Sequence, residues 1–176
     1  MARIPYADIN NPAVNELSDR IISERGSILH LYQMLLHSGP IAEGWLKYLT
    51  AIRQKTKISG AMRELIIMRV ALLNNAPYEA DQHAPIALQE GVSQEKLAAL
   101  EEWSSNNIFD KDECAILAYT DAMTRKIQVP EDIFNEVAKF YSHEEIVEIT
   151  AIIAAYNMVS RFLEALQIHS DDERRC

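Results

Sequence analysis

Met62-Arg63-Glu64-Leu65-Ile66-Ile67-Met68-Arg69-Val70-Ala71-Leu72-Leu73 is followed, after a break at Asn74-Asn75-Ala76, by Pro77-Tyr78-Glu79-Ala80-Asp81-Gln82-His83. The first run reads as a helix capped by Ser59, with Glu64 on the same face as Ile67, Met68 and Ala71. The second reads as a helix opened by a proline in its first turn. Side chains at i and i+4 of a helix stand about 5–6 Å apart at Cβ. Glu79 and His83 can therefore enter one pocket. A carboxylate on an apolar face prefers its neutral form unless something pairs with it. The pattern admits proton-transfer chemistry at Glu64, Glu79 and His83, or a buried structural ion network.

The rest of the chain reads as helix as well. Glycines are few and no stretch alternates convincingly as a strand would. Asn11-Pro12 predicts a helix to Arg25 stopped by Gly26, Ser27 caps a short helix to about His37, and Pro40 starts one to about Thr56. Pro85 predicts a kink or a new start near His83. Ser93 caps a helix through Trp103, and Asp110-Lys111-Asp112-Glu113 and Ser142-His143-Glu144-Glu145 are capping boxes. The second box opens the longest helix, to about Leu166. Its apolar faces from Ile146 to Val159 predict a central position or a subunit interface. The expectation is an all-α fold of eight or nine helices in one domain. It would comprise an N-terminal helical extension (1–40), a core (41–168) and a mobile tail (169–176).

With 176 residues and 48% apolar composition, the chain is long enough for a substantial core. A net charge of −9 argues against a nucleic-acid partner. The longest apolar run, Ile149 to Tyr156, is too short for a membrane span, and no secretory signal is visible. Of the two cysteines, Cys114 and Cys176, neither has a partner at metal-ligand or redox-motif spacing. These features predict a reduced, cytoplasmic protein without a disulfide framework.

Arg69 interrupts an apolar helix. It can snorkel, pair with a buried carboxylate, or hold a substrate carboxylate through its fork. Arg161 has the same ambiguity, and Asn157 lies one turn before it on the same face. Tyr78 points about 100° away from Glu79, which predicts packing with its hydroxyl at the pocket rim. His83 with Glu79 is also half of a zinc or iron site, but the further ligands are lacking apart from Glu64. No metal and no cofactor are expected. His30, His37, His143 and His169 lack comparable company.

The stretch from Ser59 to Gly91 resembles the carboxymuconolactone decarboxylase family, which includes the alkylhydroperoxidase D proteins. Arg63-Glu64 with its apolar helix, Asn75-Ala76-Pro77-Tyr78-Glu79, His83, and Ala87-Leu88-Gln89-Glu90-Gly91-Val92-Ser93 carry the resemblance. Asn157-Met158-Val159-Ser160-Arg161-Phe162 with Ala165-Leu166 is similar to the family's long C-terminal helix. The resemblance implies an alkylhydroperoxidase D-like helical fold assembling as a trimer, hexamer or dimer. In the hydroperoxidase branch a glutamate, a Cys-x-x-Cys pair and a histidine form a thiol relay. The glutamate falls on Glu64 and the histidine on His83, while the cysteines fall on Ala76 and Glu79. Without a thiolate there is no nucleophile for peroxide and no dithiol to recycle. What the resemblance leaves is a non-redox site on a small molecule. His83 would be the acid, Glu79 its orienter, Glu64 a second proton carrier, and Arg69, Arg161, Asn157 and Tyr78 the substrate contacts. A helical oligomer that binds a ligand without catalysis is the first alternative, and a metal-dependent enzyme and an alkylhydroperoxidase-type activity are more distant ones.

Overall fold

The computed structural model describes residues 1–172, and among them there are nine α-helices, a short 3-10 turn and no strand. The chain divides into two compact units, residues 56–162 and residues 1–55 with 163–176. Residues 173–176, part of the expected tail and including Cys176, lie outside the described residues.

The first helix of the larger unit is the fourth in the chain, α4 (Gly60–Leu73). Ser59 Oγ accepts from the Met62 N–H at 3.2 Å, the cap that the sequence predicts. Every residue from Arg63 to Ala71 is buried, so α4, rather than the longest helix, is enclosed on all sides. It packs on α5 (Pro77–Gln89) and on α7 (Lys111–Lys126), around a core of Leu65, Met68, Ala87, Leu100, Phe109 and Leu117. Helix α5 runs through Pro85 without interruption, so no new helix starts near His83. It stops at Gly91, which takes φ 100° while Val92 N–H bonds to Ala87 O (2.9 Å) and Gly91 N–H to Leu88 O (3.2 Å). This satisfies the last carbonyls of the helix.

Helix α6 (Gln94–Ala99) is capped by Ser93, and the Asp110/Glu113 capping box opens α7. Helix α8 (Glu131–Ala138) packs on α7. Helix α9 (His143–Leu166) buries Ile149, Ile152, Ile153 and Tyr156. By length and composition alone α9 could cross a membrane, which a count of uninterrupted apolar residues misses, but half of its most apolar window is buried within the protein. Between α7 and α8, Ile127 holds φ 65° and the Gln128 N–H reaches Lys126 O at 2.7 Å. This three-residue turn is a strained conformation for any side chain and worst for a β-branched one. Because Ile127 is 83% exposed, it gains little packing in return. Ile127→Gly is expected to stabilise the protein by about 1 kcal/mol, read as a raised denaturant midpoint with an unchanged slope.

The other unit contains α1 (Asn15–Arg25), α2 (His30–Leu35) and α3 (Gly39–Gln54). Asn11 caps only a turn, and the first helix starts later than Asn11-Pro12 suggests. Helix α3 packs on α1 and α2, burying Ala42, Trp45, Leu46, Leu49 and Ile52. The N-terminal segment lies along the end of α9: Arg3 N–H donates to Leu166 O and its guanidinium to Ala165 O, both at 2.9 Å. Tyr6 OH donates to Asp172 at 2.6 Å, and the Tyr6 ring stacks on His30, whose Nδ1 lies 3.0 Å from His169 O. Burial alone would raise the Asp172 carboxyl, but the Tyr6 hydroxyl, the His169 N–H and the amino group of Met1 together hold it below its ordinary value. His37 is likewise engaged, its Nε2 2.7 Å from Pro5 O.

Candidate functional site

Glu64 is fully buried in the enclosed middle of α4. One carboxylate oxygen lies 2.6 Å from His83 Nδ1, and the other accepts from Arg63 Nε at 3.1 Å. The carboxylate reaching Nδ1 of His83 thus comes from the neighbouring helix, where the i,i+4 spacing points to Glu79 as the orienter. The reason is the α4–α5 packing, which brings the buried faces of the two helices together. Arg63 supplies the positive charge that a buried carboxylate requires. Its Nη2 also donates to Glu90 at 3.1 Å.

Glu79, only 1% exposed, accepts a short hydrogen bond from Ser160 Oγ, which also reaches the Tyr156 carbonyl at 2.9 Å. The Tyr156 ring meets His83 edge-on with centroids 5.0 Å apart. Residues from α4, α5 and α9 therefore form one buried polar cluster: Arg63, Glu64, Glu79, His83, Tyr156 and Ser160. Tyr156 and Ser160 are absent from the sequence reading. Their only trace is a tyrosine and a hydroxyl one turn apart on a helix that is otherwise apolar on that face.

The remaining predicted contacts fall elsewhere. Of the three roles open to Arg69, the structure shows pairing with a carboxylate. Arg69 is 4% exposed and binds Asp121 in a fork, Nε–Oδ1 2.6 Å and Nη2–Oδ2 2.7 Å. Its Nη1 donates to Leu100 O (2.8 Å) and Glu101 O (3.1 Å). With its donors engaged in this way, the guanidinium ties α4 to α7 and to the segment after α6. Tyr78 is 4% exposed, a packed interior residue as its angle predicts. Asn157 donates to Thr124 Oγ1 at 2.9 Å and accepts from Asn74 at 3.1 Å and from the exposed Arg161 at 2.8 Å.

Among the described residues, no three His, Cys, Asp or Glu side chains converge as a metal site. A groove of about 440 Å³ is lined by Trp103, Phe109, Cys114, Ile133 and Phe140, and none of Glu64, Glu79 or His83 contributes to it. In that groove burial pushes the Cys114 thiol above its ordinary value of 9.0, and the carboxylates of Glu113, Asp110 and Asp112 push it the same way. A raised thiol is a poor source of thiolate at neutral pH. In a Cys176→Ser background, alkylation of Cys114 by iodoacetamide is expected to be slow at neutral pH, its rate still climbing past pH 9.0. A rate that levels off near neutrality would contradict this environment.

Residues 40–122 match the model of the carboxymuconolactone decarboxylase family. The uncharacterized protein YdfG of Bacillus subtilis (strain 168) is 26% identical over 131 residues, which cover 72% of this chain and 89% of YdfG. Among solved structures, the alkylhydroperoxidase AhpD core of an uncharacterized peroxidase-related protein from Ralstonia eutropha JMP134 superposes with a TM-score of 0.83 at 15% identity, covering 97% of this chain and 93% of that one. The debrominase Bmp8 in complex with 2,3,4-tribromopyrrole superposes with a TM-score of 0.81 at 20% identity, covering 97% and 95%. At these identities the structures establish the alkylhydroperoxidase D-like fold.

Proposed function

We propose that this chain, which belongs to the carboxymuconolactone decarboxylase family through residues 40–122, is a non-redox acid–base enzyme acting on a small carboxylated or lactone molecule. The reaction would be a decarboxylation, making the protein a carbon–carbon lyase, or an isomerisation. One observation carries the reading: a fully buried Glu64 set 2.6 Å from His83 Nδ1 and held by Arg63. A carboxylate on Nδ1 fixes the ring orientation and stabilises the imidazolium. Nε2 is then the nitrogen that exchanges a proton with a substrate.

In a decarboxylation the bond to the leaving carboxylate breaks and its electron pair passes into the adjacent conjugated system. The protonated His83 delivers its Nε2 proton to the carbon that gains electron density. It reverts to a neutral ring with Nδ1–H toward Glu64, and carbon dioxide leaves. Glu79 is held by Ser160 and would shape the polar wall beside the ring. Arg161, steadied by Asn157, is the cation proposed to meet a substrate carboxylate now that Arg69 is committed to Asp121. The reading calls for no bound cofactor. It places the protein in the cytoplasm as a homo-oligomer, with no nucleic acid or membrane as partner.

The second reading is a ligand-binding oligomer without catalysis, in which the same cluster is a structural network. It is favoured by the internal hydrogen bonds that already engage Glu64 and Glu79. Proton NMR of the protein with 4-carboxymuconolactone and related keto and lactone acids, with His83→Gln in parallel, separates the two. Loss of a substrate carboxylate with the native protein and not with the variant supports the lyase. Turnover that His83→Gln leaves unchanged would end the acid–base reading. Saturable ligand shifts with no conversion would favour binding.

A further inference from the structure

Glu90 stands just past the end of α5, its side chain 42% exposed and its carboxylate paired with Arg63. It lies over the first turn of α4, where Gly60 has no side chain, and a Cβ there would fall 1.7 Å from Glu90 Oε2. From this seat Glu90 accepts from Arg63 Nη2 at 3.1 Å, and Arg63 Nε donates to Glu64 at 3.1 Å. The other oxygen of Glu64 is 2.6 Å from His83 Nδ1. Four residues thus form a continuous line from solvent to a buried imidazole, with a single guanidinium shared between two carboxylates.

We infer that Glu90 is a positioning residue that sets the proton affinity of His83 through Arg63 and Glu64, with Gly60 as the seat that holds it in place. The inference rests on the reading of Glu64 and His83 as the acid–base pair. The sign follows from charge. Two carboxylates with one guanidinium leave one net negative charge beside the ring, which favours the protonated imidazole. Without the Glu90 charge, Arg63 neutralises Glu64 more completely, and the imidazolium loses that support. Glu79, one turn earlier on the same helix and bonded to Ser160, and Tyr156, whose ring meets the imidazole edge-on from α9, belong to the same cluster. Neither is altered by a change at position 90.

The test is an NMR titration of the His83 ring in the full chain without substrate, comparing native protein, Glu90→Gln and Gly60→Ala. Glu90→Gln keeps the side-chain volume and removes only charge. Gly60→Ala keeps the charge and evicts the carboxylate from its seat. Both are expected to lower the midpoint, on the order of half a pH unit for Glu90→Gln. An unmoved midpoint in Glu90→Gln overturns the inference and reduces Glu90–Arg63 to a surface ion pair. A midpoint that falls in Glu90→Gln but not in Gly60→Ala overturns the role given to the seat. Because the readout needs no substrate, it is separable from the function proposed above. A shifted titration with no turnover on any acid would retain the linkage and reject the lyase. Turnover abolished by His83→Gln with no shift in Glu90→Gln would do the reverse.

Discussion

Arg69→Met should destabilise the larger unit by about 3 kcal/mol, the cost of leaving a largely buried charge without its partner. The side chain removed is 4% exposed and serves three acceptors: the Asp121 carboxylate and the carbonyls of Leu100 and Glu101. Methionine replaces the aliphatic stem and none of the donors. Asp121 is 20% exposed and has Arg125 at 3.9 Å, so water and a second cation recover part of the loss. That keeps the figure at the lower end for a broken buried pair. Denaturant unfolding followed by Trp103 fluorescence in a Trp45→Phe background would measure it, since the Trp103 indole N–H is itself 3.4 Å from Asp121. Arg69→Met combined with Asp121→Leu should recover much of the loss, because no orphaned charge remains. A substrate-binding arginine would behave differently. Its loss would raise KM and leave the unfolding midpoint in place.

The second large effect concerns chemistry. His83→Gln should reduce turnover by about 10²–10⁴-fold, the usual contribution of a positioned acid or base. Glutamine is the informative replacement, because its amide can still donate to Glu64 and spares the buried carboxylate an unmet acceptor. The fold should therefore survive and the proton transfer should not. A variant that unfolds at the native temperature would reveal a structural His83, and one that keeps native turnover would remove it from the reaction. The contrast with Arg69→Met is the useful one: one change acts on stability and the other on rate, although both residues are buried, one on α4 and the other on α5.

Much of this architecture is legible from punctuation in the sequence. Ser59, Ser93, Asp110 and Ser142 mark helix starts because their side chains compete for the first free N–H groups, and Gly26 and Gly91 mark ends because they accept positive φ. Glu64 stands out for the same kind of reason, a charge where the helical period demands an apolar residue. What is not legible is partnership across helices. Glu79 and His83 satisfy the i,i+4 rule, yet the bond to Nδ1 comes from Glu64, whose position depends on how α4 and α5 pack. Arg69 illustrates the same limit: its partner Asp121 sits on α7, and no local pattern links the two. Helix α5 continues through Pro85, where the missing N–H removes one intrahelical hydrogen bond without ending the helix.

The two ends of the described chain are stitched to each other: Arg3 to the last turn of α9, Tyr6 to Asp172. The polypeptide is thus almost a closed loop, and its termini are a natural place to rejoin it. A short linker from residue 172 back to residue 1, with new ends opened in the exposed Ser104-Ser105 turn, would give a circular permutant that keeps α4, α5 and α9 continuous. In such a permutant Tyr156 and Ser160 of the buried cluster precede Arg63, Glu64, Glu79 and His83 along the chain, and no helix that carries them is cut. It also frees the native termini from the burden of carrying tags or fusion partners, which would otherwise be attached where the N-terminal segment is held in place.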